Sequence, residues 1–400
     1  MDAYASFRSR DFRLLLSANL LSTLGIQMLS LAVSWDLYVK TKSAAVLGNV
    51  GFVQVAPFLL FALPAGHFAD RHDRRRIMIF TQLLVMAVGA VLASTARSVP
   101  LIYSCLFLNA LAAAFNRPAR SAMLPKVVAP DALRNAITWN SSAQEIATVT
   151  GPALAGFLVA SIGSRAVYVA QFLCATLAAA CIHFMKSSAE PIGGGPVPPA
   201  PTGKALVEGI EFVRRDKLIL PAISLDLFAV LFGGATALLP IYAVEILHTD
   251  ARGLGWLRAA PSIGAIVMAV TLSHSSRARR AGRTLLWSVA GFGAATVVFG
   301  FSRSLWLSLA MLFLTGVFDN ISVVLRQSLV QTQTPDRLKG RVMAVQNIFI
   351  SSSNQLGAAE SGWTAAWFGP VVSVVGGGLA TILIVAAFAA RSSALRKWGP

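Results

Sequence analysis

The chain reads Gly66-His67-Phe68-Ala69-Asp70-Arg71-His72-Asp73-Arg74-Arg75-Arg76 where two apolar stretches meet. Residues 43–69 and residues 77–96 contain no Asp, Glu, Lys or Arg. Each stretch can cross a bilayer as a helix, because about 20 residues span a hydrocarbon core of roughly 30 Å. A short, densely charged turn between two spanning helices is typical of the cytoplasmic side of a membrane protein.

The composition of the 400-residue chain agrees with this interpretation. It is 56% hydrophobic and 13% charged, with a mean hydropathy of +0.66. Such a chain has too little polar surface to cover a water-soluble domain of its size. The net charge of +17 does not indicate nucleic acid as a partner, because the basic residues fall in short clusters between apolar runs.

Apolar runs of membrane length recur along the chain and predict an all-α polytopic membrane protein with twelve transmembrane helices. The predicted spans are residues 14–38, 44–69, 77–96, 100–116, 135–161, 166–185, 218–246, 253–274, 284–302, 304–325, 342–365 and 371–390. An even number of spans puts both termini on one side. Most of the 34 Lys and Arg residues fall on that side, which predicts cytoplasmic termini and a multi-pass protein of the cell inner (plasma) membrane.

The second half of the chain repeats the pattern of the first. An offset of 205 residues brings Arg74-Arg75 onto Arg279-Arg280, and Pro130-Asp131-Ala132-Leu133-Arg134 onto Pro335-Asp336-Arg337-Leu338-Lys339. Two pseudo-symmetric six-helix bundles in the same orientation are the economical explanation, and such repeats place a substrate path between them.

These bundles define the predicted domains. We expect an N-terminal bundle over residues 1–186, a cytoplasmic linker over 187–217 and a C-terminal bundle over 218–400. The linker begins with a Pro- and Gly-rich run that cannot be a buried element. Its second part has apolar residues at helical spacing, which suits either an amphipathic helix on the membrane surface or a continuation into the seventh span.

The charged turn resembles motif A of the major facilitator superfamily, which joins the second and third helices of those transporters. The matching residues are Gly66, Asp70, Arg71, Arg74 and Arg75. Asp73 replaces the second glycine of the motif, and we expect it to hold a left-handed backbone there, which Asp tolerates better than most residues.

A second resemblance lies in the fifth span. Gly151, Pro152 and Gly156 are similar to the Gly- and Pro-rich motif C that is associated with antiporters of this superfamily. Small residues let helices approach closely, and a proline bends the helix. The resemblance favours export over import.

Segments of the second half resemble the subfamily of enterobactin-exporter-type and drug-efflux carriers. They are residues 319–326, Pro335-Asp336, Gly340-Arg341 and 353–357. The resemblance implies the superfamily fold, alternating access and a small organic substrate such as a drug or siderophore. It also implies that the motif A acid closes the cytoplasmic side against the start of the eleventh helix, with Arg326, Gly340 and Arg341 as partners.

Three acidic residues lie deep in predicted spans: Glu145, Asp226 and Asp319. A charge at bilayer depth costs at least about 2.5–3.5 kcal/mol, so each acid needs a functional or structural role that offsets this cost. Proton coupling is one, because the protonation of a buried carboxyl can follow its access to water. We place Glu145 first for its mid-depth position. An ion pair is the alternative, most of all for Asp319, which shares a helical face with Arg326.

Further polar residues inside spans are candidates for a substrate cavity, namely Gln54, Asn140, Gln144, Arg258 and Asn320. Arg258 suits an anionic substrate group or a buried acid, although extension to the outer interface explains it equally well. Asp36 and Glu360 lie near the outer ends of their spans and are predicted to be solvated.

The predicted function is proton-coupled export by a monomer, with no enzyme activity, metal or other cofactor. The sequence has no P-loop for ATP, so a proton gradient is the expected energy source. The expected partners are a small organic substrate, protons and the lipid bilayer, without nucleic acid. Metabolite uptake, a non-transporting sensor or scaffold, and a lysolipid flippase remain alternatives.

We predict that Asp70→Asn slows transport without changing what is carried. The related cluster at Arg277-Ala278-Arg279-Arg280 has no acid that matches Asp70, so this carboxylate acts in only one of the two halves. Transport rates and substrate profiles in membrane vesicles test this, and an altered substrate range would count against a closing role.

Overall fold

A computed structural model describes residues 4–94, 98–186, 203–274 and 280–399 of the chain. Within these ranges all regular secondary structure is helical, and the predicted all-α class is confirmed. The Pro- and Gly-rich start of the linker lies outside the described residues. So does most of the basic cluster before Arg280, and the side chain of Asp70 is not described either.

Six long helices form the first half of the chain. They are α1 (Arg10–Thr41), α2 (Ala44–Arg71), α3 (Arg74–Ser94), α4 (Val99–Met123), α5 (Leu133–Ile162) and α6 (Ser164–His183). The second half contains α7 (Gly203–Arg215), α8 (Ile219–Phe232), α9 (Leu239–Ile241), α10 (Ala251–His274), α11 (Ala281–Phe301), α12 (Leu305–Gln333), α13 (Asp336–Phe368), α14 (Pro370–Arg391) and α15 (Ser393–Lys397).

In the described part of the chain, eleven helical segments are long and apolar enough to cross a membrane. They correspond to predicted spans one to ten and span twelve. The eleventh predicted span coincides with α13, which is long enough but carries many polar side chains, among them Gln346, Asn347, Asn354 and Gln355. The exact number of spans therefore stays a prediction.

The seventh predicted span is not one continuous helix. After α8 ends at Phe232, the chain passes Gly233 and Gly234, makes a 3₁₀ turn over Ala235–Leu238, and reaches α9 and a π-helical turn over Tyr242–Ile246. Two consecutive glycines and Pro240 weaken a regular helix here. Hydropathy alone predicts length and not this interruption.

The chain divides into two compact units, Met1–Leu37 with Val53–Ala200 and Tyr38–Phe52 with Pro201–Pro400. The buried core of the first unit includes Phe12 and Met78, and that of the second includes Ile219, Leu329 and Val342. Residues 38–52 belong to the second unit, where Gly48 and Gly362 pack backbone against backbone. A side chain at either glycine would prevent this approach.

A glycine turns the chain between helices at corresponding points of the two halves. Gly163 separates α5 from α6 with φ +96°, and Gly369 separates α13 from α14 with φ +90°. Only glycine adopts this backbone region without steric cost, so it allows a one-residue connection between two long helices.

Two neighbouring glycines of α14 provide a matched test of helix packing. A Cβ at Gly377 would overlap the carbonyl of Phe232, whereas a Cβ at Gly376 would meet nothing within 4 Å. We expect Gly377→Ala to destabilise the protein by about 1–3 kcal/mol through overpacking. Gly376→Ala should be neutral or slightly stabilising, because alanine favours a helix. Thermal unfolding in detergent measures both, and equal melting temperatures would contradict the packing described.

Candidate functional site

The second unit holds an ion pair away from solvent. Arg326 on α12 contacts Asp226 on α8 through its Nη1 atom, and the two side chains are 2% and 9% exposed. The same nitrogen donates a hydrogen bond of 3.4 Å to the Ser322 hydroxyl, one helical turn earlier. Because both charges are removed from water, each depends on the other for compensation. The ion-pair partner of Arg326 is thus Asp226 on another helix.

Asp319 lies beside this ion pair and beside a larger space. Together with Asp226 and Ser322 it lines a cavity of about 10 Å³, which is about the size of one water molecule. It also lines a cavity of about 170 Å³ in the same unit. A proton or a polar group in the larger cavity can therefore reach a carboxyl that adjoins the buried pair.

The larger cavity has both aromatic and polar walls. Its lining includes Phe292, Phe299, Thr296, Thr315, Asn354 and the backbone of Gly233 and Gly234. The interrupted helix after α8 thus borders a cavity, which is where non-helical backbone is tolerated at membrane depth. Such interruptions supply free carbonyl and amide groups for a ligand.

In the first unit, three helices meet through polar side chains. Asn19 on α1 donates a 2.8 Å hydrogen bond to Asn140 Oδ1 on α5, and Arg120 on α4 reaches the same oxygen at 3.5 Å. The sequence-based prediction misses Arg120, because it ends the fourth span before Arg117. The structure continues α4 to Met123. A basic residue within four positions of a span end is the signal that could identify it.

The other candidates of the first unit are dispersed. Gln144 is half-buried and Glu145, the next residue of α5, is exposed. Gln54 is half-buried on α2. None of the hydrogen bonds described for Asn140 includes Glu145. A proton-coupling role for Glu145 therefore stays a prediction.

Two further candidates belong to the second unit. Arg258 is half-buried on α10. Asn320 follows Asp319 on α12, and its buried Oδ1 accepts no hydrogen bond from the described residues. A buried amide oxygen without a donor is costly, which makes Asn320 a group that a ligand or water would satisfy.

The backbone of the charged turn between α2 and α3 differs from the prediction. Asp73 does not have a left-handed backbone; it precedes α3, and its Oδ1 accepts a 2.9 Å bond from the Arg75 amide. Asp73 is thus an N-cap, a position for which Asp is well suited. Arg75 donates to the carbonyls of Ile182 and His183 at the end of α6. Arg74 is buried.

Packing constrains the other described motif A residues, Arg71 and Gly66, less than it constrains Arg74. Arg71 ends α2 and is exposed. Gly66 has no atom within 4 Å of a Cβ placed on it, so packing does not require a glycine there.

Of the predicted gate partners at the start of α13, Arg341 contacts α7. Arg341 pairs with Glu208, and a Cβ at Gly209 would lie 3.1 Å from the Arg341 carbonyl. Asp336 accepts a hydrogen bond from Lys339, whose ammonium lowers the pKa of that carboxyl. A Cβ at Gly340 would meet nothing within 4 Å. In the second unit, therefore, Arg341 already has a carboxylate partner.

The residues that resemble motif C have a packing role. A Cβ at Gly151 would lie 2.6 Å from the Gln27 side chain and 3.4 Å from the Leu24 carbonyl, both on α1. Pro152 and Gly156 are buried in the same helix. This segment lets α5 approach α1 closely within the first unit.

The prediction that Asp36 is solvated is wrong. Its side chain is buried, and it accepts hydrogen bonds from the hydroxyls of Ser164 at 2.5 Å and Tyr168 at 2.8 Å. These donors on α6 compensate the buried carboxylate of α1. Glu360 is half-buried and accepts bonds from Thr364 and Ser361, so it too has protein partners.

Known exporters resemble the chain, one of them over nearly its whole length. The chain is 25% identical to the enterobactin exporter EntS of Citrobacter koseri over 382 residues, which cover 93% of this chain and 89% of that protein. It is 27% identical to macrolide efflux protein A of Streptococcus pyogenes over 190 residues, 46% of this chain and 47% of the other.

Solved structures show the same fold. A bacterial homolog of the human lysosomal transporter Spinster superposes with a TM-score of 0.78 at 16% identity, covering 98% of this chain and 99% of that one. A peptide transporter of the POT type gives a TM-score of 0.76 at 13% identity, covering 97% and 96%.

A family model described as transmembrane secretion effector matches residues 1–399. The match, the exporters among the relatives and the apolar helices together show a membrane transporter and not an enzyme. The chain belongs to the transmembrane secretion effector family of the major facilitator superfamily.

Proposed function

We propose that this transporter is a proton-coupled exporter of a small organic compound. It works as a monomer by alternating access, in the cell inner membrane with both termini in the cytoplasm. The names of its relatives, an enterobactin exporter and a macrolide efflux protein, support export. The positive-inside distribution of Lys and Arg supports the orientation.

The observation that carries proton coupling is the pair of carboxyls beside one guanidinium in the second unit. Asp226 compensates the charge of Arg326. An ionised Asp319 then adds a negative charge next to a pair that is already neutral, which is unfavourable in a poorly hydrated site. A proton on Asp319 removes this cost. Asp319 is therefore our first candidate for the coupling residue.

If Asp319 binds either a proton or the substrate but never both, the flux of protons is coupled to the flux of substrate. The ionised carboxylate attracts a polar or cationic group of a substrate in the larger cavity, and the protonated carboxyl does not. Substrate and proton thus compete for one group, which is the requirement for exchange. The cavity of about 170 Å³ is smaller than the roughly 300–1,000 Å³ of a typical ligand pocket, so it holds part of a substrate.

Accumulation in inverted membrane vesicles tests the proposed function. Vesicles from cells that overproduce the protein are acidified inside by respiration and offered labelled macrolides and labelled enterobactin. We expect saturable accumulation of at least one compound class, and its collapse when a proton ionophore is added. Accumulation only in right-side-out vesicles would indicate import. Accumulation that persists with the ionophore would exclude proton coupling.

We predict that Asp319→Asn abolishes accumulation driven by the pH gradient and also weakens exchange of labelled for unlabelled substrate, because the amide, like the protonated carboxyl, has no charge that attracts the substrate. The amide keeps the size and polarity of the side chain and cannot carry the proton. Asp250→Asn is the matched control, because Asp250 is 58% exposed and caps the backbone of Arg252 and Gly253, which Asn can also do. Accumulation by Asp319→Asn at the level of this control would refute the role of Asp319 in proton coupling.

Loss of the ion pair between Asp226 and Arg326 should lower the stability of the protein. We expect Arg326→Gln to lower the free energy of unfolding by about 3–5 kcal/mol, because it leaves Asp226 buried without its partner. The double variant Asp226→Asn/Arg326→Gln should regain most of this loss. Arg252→Gln, which removes an exposed pair with Asp250, should cost less than about 1 kcal/mol. Thermal unfolding in detergent compares them, and an unaffected Arg326→Gln would contradict a desolvated pair.

A further inference from the structure

A basic groove in the second unit lies where three helix ends meet. Its walls come from the end of α7, the start of α8 and the end of α14, and its volume is about 530 Å³. Four cationic side chains line it, namely Arg214, Arg215, Lys217 and Arg391. All four are exposed to solvent. We refer to this feature as the basic groove.

Neighbouring carboxylates compensate only part of this charge. Asp216 is the single acid of the described lining, and its Oδ1 accepts backbone bonds of 2.8 Å from Leu218 and 2.7 Å from Ile219. Its carboxylate therefore satisfies backbone amides at the start of α8. Arg215 pairs with Glu211 on the exposed face of α7. Arg214, Lys217 and Arg391 form no ion pair with a described residue, so they leave a concentrated positive potential in the groove.

The floor of the basic groove is apolar. Leu220 and Pro221 contribute from α8, and Ala387 and Phe388 from α14. Leu220 is 38% exposed. A groove with cations at its rim and hydrocarbon below matches a ligand that has an anionic head and an apolar tail.

The exposed surface of α7 suits a position at the level of lipid headgroups. Val213 on one face of α7 is buried, whereas Val207 and Ile210 are 61% and 37% exposed. An apolar exposed face beside a basic end is the pattern of a helix lying in a membrane interface. The groove opens at the ends of α8 and α14, both of which belong to apolar segments of membrane length.

We propose that the basic groove binds the phosphate of an anionic phospholipid, with its acyl chains against the apolar floor. Arg214, Lys217 and Arg391 contact the phosphate, and Leu220 and Phe388 contact the chains. Basic pockets between the cytoplasmic ends of membrane helices are a known setting for such headgroups. A bound lipid would connect α7 to α8 and α14, and α7 is connected to α13 through Glu208 and Arg341.

Native mass spectrometry of the full-length protein tests this proposal. The purified wild-type protein is titrated with phosphatidylglycerol, with phosphatidylcholine, and with inorganic phosphate as a competitor. We expect saturable binding of one phosphatidylglycerol, weaker binding of phosphatidylcholine, and little displacement by inorganic phosphate. Equal affinity for the two lipids would overturn the proposal without any variant. Efficient displacement by inorganic phosphate would also overturn it, since the site would then bind free phosphate.

A pair of double variants locates the site. Arg214→Gln/Arg391→Gln should weaken phosphatidylglycerol binding roughly fivefold per removed cation. Arg134→Gln/Arg337→Gln removes the same charge from exposed residues outside the groove and should bind like the wild type. Equal affinities of the two double variants would refute the assignment. Transport is not the readout, so the result does not depend on the proposed export function.

Discussion

Arg326 and Asp226 hold opposite charges in contact at a position where neither is open to solvent. In lipid or in a packed bundle, an ion is costly without a partner, because desolvation must be offset by another charge or by hydrogen bonds. This requirement fixes α8 against α12. It also determines the chemistry nearby, since Asp319 is the acid that lines the same small cavity. The site is neutral with one carboxyl ionised and charged with two, and the proposed proton coupling rests on this difference.

The two halves share features of their backbone but differ in the polar side chains that join their helices. Corresponding turns between helices use Gly163 and Gly369, and each is in a left-handed conformation. Yet the first unit joins α1, α4 and α5 through Asn19, Arg120 and Asn140. The second unit instead has the buried ion pair with Asp319 beside it. The backbone arrangement is thus repeated with different side chains, so the two halves differ in their chemistry.

Much of the fold can be predicted from one sequence, since bilayer thickness fixes how long an apolar run must be. Depth along a predicted helix likewise identifies Asp226 and Asp319. Partners on other helices cannot be predicted: a spacing of seven residues associates Arg326 with Asp319, but its ion-pair partner comes from α8. The same limit explains Asp36, whose hydrogen-bond donors lie on α6. Arg120 escapes prediction because a charged residue usually marks the end of a span, whereas α4 continues past it.

Exchange requires that substrate and protons move in opposite directions through one transporter. The most direct test is the substrate gradient at which net flux stops, measured in proteoliposomes with the wild-type protein under a clamped pH difference. For exchange of one proton with the membrane potential held at zero, this gradient should change about tenfold per pH unit, as the free energies of the two gradients must balance. A flux that stops at equal substrate concentrations for every pH difference would contradict proton-coupled exchange.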